Sequence, residues 1–290
     1  MPAGRWLKTG PAPAGHRALR GSGRRAPPVL RDLGAITLVD ASRPRYRTTV
    51  GDYDAAFMAS GAAGAEKNVA AVLPLVVAEL GAHPGTLVDV GCGPGAWVRE
   101  FMKAGIEAVG WDGPWAEPQI VVPHDRFTSM DLEQSLPVDR RFYIAVSVEV
   151  AEHLSPERGP GFVSDLCALS DIVLFSAGIP GQAGTHHVNL RWQSYWVSLF
   201  AARGYGVIDC VRPALWEPPP GVGLVLAQQC FLFVRGSTSR LAMPLDIVHP
   251  GMHHELTFPP RLRKVVGELP GAAKRSVQHH ARRLVIRRAR

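Results

Sequence analysis

A strand-like segment that leads directly into a glycine-rich turn constrains the fold of this 290-residue chain more than any other feature. Thr86–Val90 has the apolar composition of a buried strand, and Gly91, Gly93 and Gly95 follow it just before a helix-like segment. Glycines at this point permit a tight turn from strand to helix and let backbone N–H groups approach a ligand closely. The segment therefore predicts a ligand-binding turn at the edge of an α/β sheet.

The middle of the chain alternates short β-rich segments with helical ones, which predicts a mostly parallel sheet covered on both faces. The last two predicted strands are joined by a loop containing residues 217–221, which is too rich in proline for a crossover helix. We therefore expect an α/β fold with a doubly wound, Rossmann-like, mostly parallel sheet and an antiparallel last strand. The predicted strands are residues 86–90, 108–111, 142–148, 172–176, 206–211 and 230–234, and the predicted helices are residues 62–80, 95–103, 157–169 and 193–203.

Composition divides the chain into three parts. Residues 1–48 combine proline, glycine and arginine without apolar periodicity, which predicts a disordered basic arm. Residues 49–240 carry the α/β pattern, and residues 241–290 form a C-terminal extension with a basic tail. Within that tail, residues 274–290 are compatible with a basic amphipathic helix or with a solvated segment.

The net charge of +7 is distributed unevenly along the chain. Residues 1–48 hold ten Lys and Arg against two acids, and residues 261–290 hold ten against one acid. Residues 49–260 hold 12 basic and 22 acidic residues, so the predicted domain is itself negative. A body of that sign repels phosphate backbones, which disfavours nucleic acid as a substrate and leaves only the tails to contact anionic surfaces.

Cellular location is predicted from three further features. No apolar run reaches the roughly 18 residues that span a bilayer, so no transmembrane segment is expected. Cys92, Cys167, Cys210 and Cys230 show no CxxC spacing, which favours reduced core residues over a disulfide framework or a zinc cluster. The N-terminus lacks the apolar core of a secretory signal, and although its Arg-rich, acid-poor composition also suits a transit peptide, we expect a cytoplasmic protein.

A second acid supports a cofactor site. Asp112 follows Gly91 by 21 residues at the end of the next predicted strand, where its carboxylate can accept hydrogen bonds from both hydroxyls of a ribose. The sequence resembles class I S-adenosylmethionine-dependent methyltransferases, because Asp89 precedes the glycines and Gly-Cys-Gly-Pro-Gly matches their first motif. The resemblance continues to Asp131, which implies an acid for the adenine amino group. It implies cofactor contacts at Asp89, Gly91, Cys92, Gly93, Gly95, Asp112 and Asp131.

Acidic and imidazole side chains follow the fourth and fifth predicted strands. Residues 147–154 contain an ExxEH cluster, and residues 184–192 contain two adjacent histidines. This combination resembles the ubiquinone-pathway O-methyltransferases and the small-RNA 2′-O-methyltransferases, in which the cluster binds a divalent metal. The resemblance implies metal ligands at Glu149, Glu152, His153 and His187. His187 is preferred over His186 because five residues separate it from Trp192, as in the ubiquinone group.

Two carboxylates and two imidazoles suit Mg²⁺, Mn²⁺, Fe²⁺ or Zn²⁺ without selecting one of them. Such an ion would lower the pKa of a coordinated hydroxyl and so generate the nucleophile. Without a metal, His153 or His187 becomes the general base, and Glu149 is the third candidate catalytic residue. The same acids also suit a helix cap or a direct cofactor contact.

The acceptor is suggested by a resemblance over residues 175–189. This run is similar to uncharacterised bacterial methyltransferases that accompany surface-polysaccharide enzymes, which implies a sugar or other small hydroxylated acceptor. Trp192, Tyr195 and Trp196 suit either a stacking wall for a sugar ring or the core. The alternatives are N- or C-methylation in specialised metabolism and a non-catalytic scaffold that binds the cofactor. RNA modification through the basic arms is countered by the acidic body.

Overall fold

The computed structural model describes residue 62 and residues 64–257, with the backbone alone described for residues 254–257. The predictions for the basic arm at residues 1–48 and for the tail at residues 274–290 lie outside these residues. Within the described part of the chain, no helix is long and apolar enough to cross a membrane.

The described residues contain one seven-stranded sheet with the order β3-β2-β1-β4-β5-β7-β6. All neighbouring strands are parallel except that β7 runs antiparallel to β5 and to β6. The strands are β1 (Thr86–Val90), β2 (Glu107–Asp112), β3 (Phe127–Ser129), β4 (Ile144–Val148), β5 (Ile172–Ser176), β6 (Tyr205–Ile208) and β7 (Phe231–Arg235). The α/β fold with an antiparallel last strand, predicted from the sequence, is thereby confirmed.

Helices connect the strands and cover both faces of this sheet. They are α1 (Ala65–Leu80), α2 (Ala96–Lys103), α3 (Gly159–Leu169), α4 (Gln193–Ala201), α5 (Val211–Ala214), α6 (Leu224–Gln229) and α7 (Pro250–Thr257). Because alternate residues of a strand point to opposite faces, Val88 and Val90 enter one apolar cluster while Leu87 enters the other. The double burial explains why the strands read as nearly continuous apolar runs.

Local details differ from the sequence prediction at the two edges of the sheet, which are formed by β3 and β6. The three-residue strand β3 is too short to give a periodic signal and was not predicted. Strand β6 ends at Ile208 rather than at residue 211, because the Asp209 carboxylate binds the Arg212 guanidinium within helical spacing and closes the turn of α5. The proline-rich loop is flanked by the two short helices α5 and α6.

Part of the predicted C-terminal extension packs on this domain. The guanidinium of Arg212 donates hydrogen bonds to the carbonyls of Pro244 and Leu245, at 3.3 and 3.0 Å. The amides of Gln193 and Gln228 both donate to the carbonyl of Ile247, at 3.3 and 2.7 Å. Residues 244–247 are therefore tied through their backbone carbonyls to α4, α5 and α6.

Candidate active site

A cavity of about 320 Å³ opens where strands β1, β2 and β4 end. This is the position at which open α/β sheets bind their ligands. The residues that line it come from the glycine turn, the ends of these strands and helix α6. They include Asp89, Gly91, Cys92, Gly93, Asp112, Trp115, Asp131, Glu133, Glu149, His153, Val225 and Leu226.

The glycine turn adopts a conformation that side chains disfavour. Gly91, Gly93 and Gly95 have φ angles of 86°, 53° and 81°. A Cβ atom on Gly91 would lie 2.2 Å from the Cγ2 atom of Val150, which leaves no room for any larger residue. Glycine is therefore required there both by backbone conformation and by close packing.

The Asp112 carboxylate is held by three N–H donors at the end of β2. Its Oδ2 atom accepts a hydrogen bond from the Gly93 N–H at 2.6 Å. Its Oδ1 atom accepts from the Gly113 N–H at 2.6 Å and from the Trp115 indole at 3.0 Å. Burial raises the pKa of Asp112, and these hydrogen bonds act against that rise. The site thus presents a fixed acidic acceptor beside the glycine turn.

The other two predicted cofactor acids differ in environment. Asp89 is buried, and desolvation followed by the charge of Asp112 raises its pKa to about 8. Asp131 is exposed, and its Oδ1 atom accepts a hydrogen bond from the Glu133 N–H at 3.0 Å. Gly95 is the one predicted cofactor residue outside the cavity lining among the described residues, and it marks the beginning of helix α2.

Three of the four predicted metal ligands lie together. Glu152, His153 and His187 each offer one ligand atom, and these atoms lie within 4.8 Å of one another. The rings of His153 and His187 are 4.9 Å apart between centroids. His186 is exposed, with φ of 55°, and is outside this group. The structure thus places His187, the histidine preferred from its spacing to Trp192, beside Glu152 and His153.

Glu152 has an unusual environment for a carboxylate. It is fully buried, and no amide, hydroxyl or cationic side chain of the described residues donates to its oxygens; the Glu149 carboxylate and the Gly178 backbone N–H are polar groups beside it. Burial, with the charge of Glu149 as the next cause, raises the pKa of Glu152 well above its ordinary value. A buried carboxylate without side-chain donors is costly unless a proton or a cation neutralises it.

His153 connects this group to the cavity. It is both a member of the three-residue group and a lining residue. Burial, followed by the charge of His187, lowers the pKa of His153 to about 4. The imidazole is therefore neutral at neutral pH, which is the form that binds a metal or accepts a proton.

Glu149 lies outside the group of potential ligands. Its Oε1 atom accepts hydrogen bonds from the Ser176 hydroxyl and the Gln229 amide, both at 2.7 Å, and its Oε2 atom accepts from the Gln182 amide at 2.8 Å. These three donors were not assigned a role from the sequence. Gln182 and Gln229 are 33 and 80 residues away along the chain, so no local spacing could reveal the contacts.

The three aromatic residues proposed as a sugar-stacking wall separate in the structure. Trp196 is buried and packs against Phe175 at 5.4 Å between ring centroids. Tyr195 packs partly buried against the same core. Trp192 is 40% exposed. Trp196 and Tyr195 therefore serve the core, and of the three only Trp192 presents a largely exposed ring.

Comparison with known proteins identifies the domain. The model of a methyltransferase domain family matches residues 64–177. No curated protein sequence matches the chain. Residues 64–177 thus match a methyltransferase domain, which supports the S-adenosylmethionine-dependent methyltransferase predicted from the sequence. The family and the enzyme class predicted from the sequence are confirmed at this level.

Several solved structures are similar to part of this chain at low sequence identity. Human N-acetylserotonin methyltransferase in complex with S-adenosylmethionine is 14% identical, with a TM-score of 0.44 over 62% of this chain and 55% of that chain. Magnesium protoporphyrin IX methyltransferase from Synechocystis PCC 6803 is 19% identical, with a TM-score of 0.41 over 59% and 84%. Streptomyces venezuelae DesVI is 15% identical, with a TM-score of 0.47 over 66% and 100%. This chain thus spans about half the length of the human enzyme.

Proposed function

We propose that this protein transfers a methyl group from S-adenosylmethionine to a hydroxyl oxygen of a small molecule, sugar or glycoconjugate, with a divalent metal held by Glu152, His153 and His187. The observation that carries the proposal is the fully buried Glu152 carboxylate, to which no amide, hydroxyl or cationic side chain of the described residues donates and which lies beside two imidazoles. We assign the reaction to residues 49–240, with the basic segments on either side outside the catalytic part.

The residues that would hold the cofactor fit it. The glycine turn and the Asp112 carboxylate line the cavity, and Asp112 has the charge and position to accept a hydrogen bond from a ribose hydroxyl. When bound, S-adenosylmethionine supplies an electrophilic methyl group on a sulfonium. Asp112 and His153 line the same cavity, so donor and acceptor can be held side by side.

The residues that would hold the metal also fit it. One carboxylate and two imidazoles are ligand types that Mn²⁺, Fe²⁺ and Zn²⁺ accept and that Mg²⁺ accepts in part. When bound, such an ion would lower the pKa of an acceptor hydroxyl. A cation next to Glu152 would also favour its ionised form and so relieve the buried carboxylate.

A metal-free mechanism is the second candidate, because a neutral imidazole, that of His153, lines the cavity. This imidazole is neutral at neutral pH and faces the cavity, so it can accept the proton of an acceptor hydroxyl directly. His187 is the next candidate base, because its ring lies beside that of His153.

The cofactor assignment is tested by Asp112→Ala. We expect the affinity for S-adenosylmethionine to fall by at least tenfold in calorimetry, since each lost hydrogen bond to a charged acceptor costs roughly 1.5 to 3 kcal/mol. Asp125→Ala is the control, because this exposed acid is outside the cavity lining. Wild-type affinity in the Asp112 variant would refute the assignment.

The metal assignment is tested by elemental analysis and by chelation. Removing the ion should reduce turnover far more than cofactor affinity, because the cofactor residues are distinct from the proposed ligands. His187→Ala should reproduce the effect of the chelator, and His186→Ala should be milder. If chelated, metal-free protein keeps full activity, the metal role is wrong and His153 or His187 acts as a simple base.

A further inference from the structure

The loop that follows strand β5 carries His187, and its backbone is tied to the ExxEH cluster. The carbonyl oxygen of Glu152 accepts hydrogen bonds from the N–H groups of Val188 and Asn189, both at 2.9 Å. The buried side-chain amide of Asn189 donates to the Ala151 carbonyl at 3.2 Å. The main chain next to His187 is therefore fixed relative to Glu152.

The imidazole of His187 lies against a carbonyl five residues earlier in the same loop. Its Nδ1 atom is 3.2 Å from the carbonyl oxygen of Gln182, which is a hydrogen-bond distance. A carbonyl oxygen only accepts, so this contact requires that the proton of the neutral ring is on Nδ1. The lone pair of the neutral imidazole is then on Nε2, which is the atom left to bind a metal.

Gln182 is itself held in place on several sides. Its N–H donates to the Ile179 carbonyl at 3.0 Å, and its Oε1 atom accepts from the Ile179 N–H at 3.2 Å. The same Oε1 atom accepts from the Gln229 amide at 3.1 Å, and the Gln182 amide donates to Glu149 at 2.8 Å. One buried residue thus binds His187 through its carbonyl and the ExxEH cluster through its side chain.

A second residue of the loop, Gly184, leaves the space that the His187 ring occupies. A Cβ atom on Gly184 would lie 2.1 Å from both Cε1 and Nε2 of His187 and 2.7 Å from Cδ2. The φ angle of Gly184 is outside the left-handed region, so this angle does not exclude an alanine. Glycine is therefore required at this position by contact with the imidazole.

We propose that Gln182 and Gly184 are positioning residues of the metal site, which fix the tautomer and the orientation of His187 so that Nε2 is its ligand atom. This inference rests on the proposed function. Metal-binding histidines usually donate their second ring N–H to a carbonyl or carboxylate, because that partner holds the ring and determines which nitrogen has the lone pair. Loss of such a partner typically weakens metal binding by about 10- to 100-fold.

The tautomer is measured on the metal-free full chain by ¹⁵N nuclear magnetic resonance, in which couplings to the ring protons distinguish a protonated nitrogen from an unprotonated one. At mildly alkaline pH we expect the His187 ring to carry its proton on Nδ1. The resonances are assigned by their loss in His187→Ala. A proton on Nε2 would show that the Gln182 carbonyl does not hold the ring, and would overturn the inference.

The orientation is tested by Gly184→Ala, with Mn²⁺ binding to the full chain followed by electron paramagnetic resonance. We expect the Kd for Mn²⁺ to rise by about tenfold or more, because the new methyl group displaces the His187 ring. The thermal transition should shift little, since Gly184 is exposed and the displaced atoms are at the end of a side chain.

Thr185→Ala is the matched control for this variant. It shortens an exposed neighbour in the same loop and keeps the backbone to which the His153 ring is hydrogen-bonded, so the Kd for Mn²⁺ should be unchanged. S-adenosylmethionine affinity should be unchanged in both variants, because neither Gly184 nor Thr185 lines the cavity.

The outcomes separate this inference from the proposed function. If Gly184→Ala binds Mn²⁺ as tightly as wild type, or if Thr185→Ala loses as much affinity, the inference is wrong while the metal site stands. If wild-type protein binds no Mn²⁺, both are refuted.

Discussion

At the scale of single residues, the site depends on positions where only one side chain is compatible with the backbone. Gly91 combines a φ of 86° with a packing partner, Val150, that occupies the space of any Cβ atom. Gly85 lies just before β1 with nothing within 4 Å of its would-be Cβ atom. The two glycines are close in sequence and differ in what they permit, which makes them a matched pair.

We predict that Gly91→Ala destabilises the protein by about 2 kcal/mol or more, because both strain and overpacking oppose it. Gly85→Ala should change the free energy of unfolding by less than about 0.5 kcal/mol. Denaturant titration of both variants decides the matter. Equal stability of the two would show that Val150 and the turn adjust without cost.

The pKa of Asp89 makes stability depend on pH. Its folded-state pKa of about 8 lies above its ordinary 3.8, so between these values the folded protein holds a proton that the unfolded chain releases. Stability contributed by that proton is present at low pH and is lost as pH rises toward 8. His153, with its pKa lowered to about 4, acts in the opposite direction below about 6.5.

We therefore predict that cofactor-free protein loses stability between pH 6.5 and 8.5, by at most about 1.4 kcal/mol per pH unit for each proton. Asp89→Asn should reduce the loss of unfolding free energy per pH unit without abolishing it, since burial also raises the pKa of Glu152. Chemical unfolding at several pH values measures both slopes. An unchanged slope in Asp89→Asn would mean that Asp89 is already ionised when folded.

At the scale of elements, helix α5 depends on an ion pair in the core. Asp209 and Arg212 are fully buried, with their side-chain atoms 2.7 Å apart, and the guanidinium lies 4.2 Å from the ring centroid of Phe231. The same guanidinium binds the carbonyls of Pro244 and Leu245. One side chain thus joins α5, β7 and the segment that follows the sheet.

We predict that Asp209→Ala destabilises the protein by roughly 3 to 5 kcal/mol, because it leaves a buried cation without its partner. Arg141→Ala is the control, since the Arg141–Asp171 pair is about half exposed and such pairs contribute at most about 1 kcal/mol. Thermal or denaturant unfolding compares the two. Similar small losses would indicate that water reaches Arg212 in the variant.

At the scale of the whole molecule, charge is segregated along the sequence. Residues 49–260 carry 22 acids against 12 Lys and Arg, while the remaining Lys and Arg all lie in residues 1–48 and 261–290. Basic segments favour binding to polyanions in a salt-dependent way, and an acidic body disfavours placing a polyanion in the active site. Binding to a nucleic acid and methylating it should therefore be separable.

We predict that the full chain binds heparin or RNA at low salt and releases it as salt increases, yet transfers no label from S-adenosylmethionine to RNA or DNA. A small-molecule fraction of cell extract should accept the label. Label in purified RNA would assign the acceptor to nucleic acid and contradict the charge argument.

Local sequence was sufficient for the fold class and for the cofactor turn. Strand β1, the glycines and Asp112 are adjacent or one βα unit apart, so period-2 apolar patterning and the conformational freedom of glycine identify them without tertiary contacts. The antiparallel β7 followed from the composition of one loop. These features follow from interactions between near neighbours in the chain.

The environments of the acidic residues were decided only by the tertiary structure. Glu149 and Glu152 are three positions apart and chemically identical, and the sequence assigned both as metal ligands. In the fold, Glu149 accepts hydrogen bonds from β5, the loop after it and α6, while Glu152 is enclosed with two imidazoles and the Glu149 carboxylate. Whether a carboxylate is satisfied or left for a ligand depends on partners tens of residues away, which only long-range packing brings together.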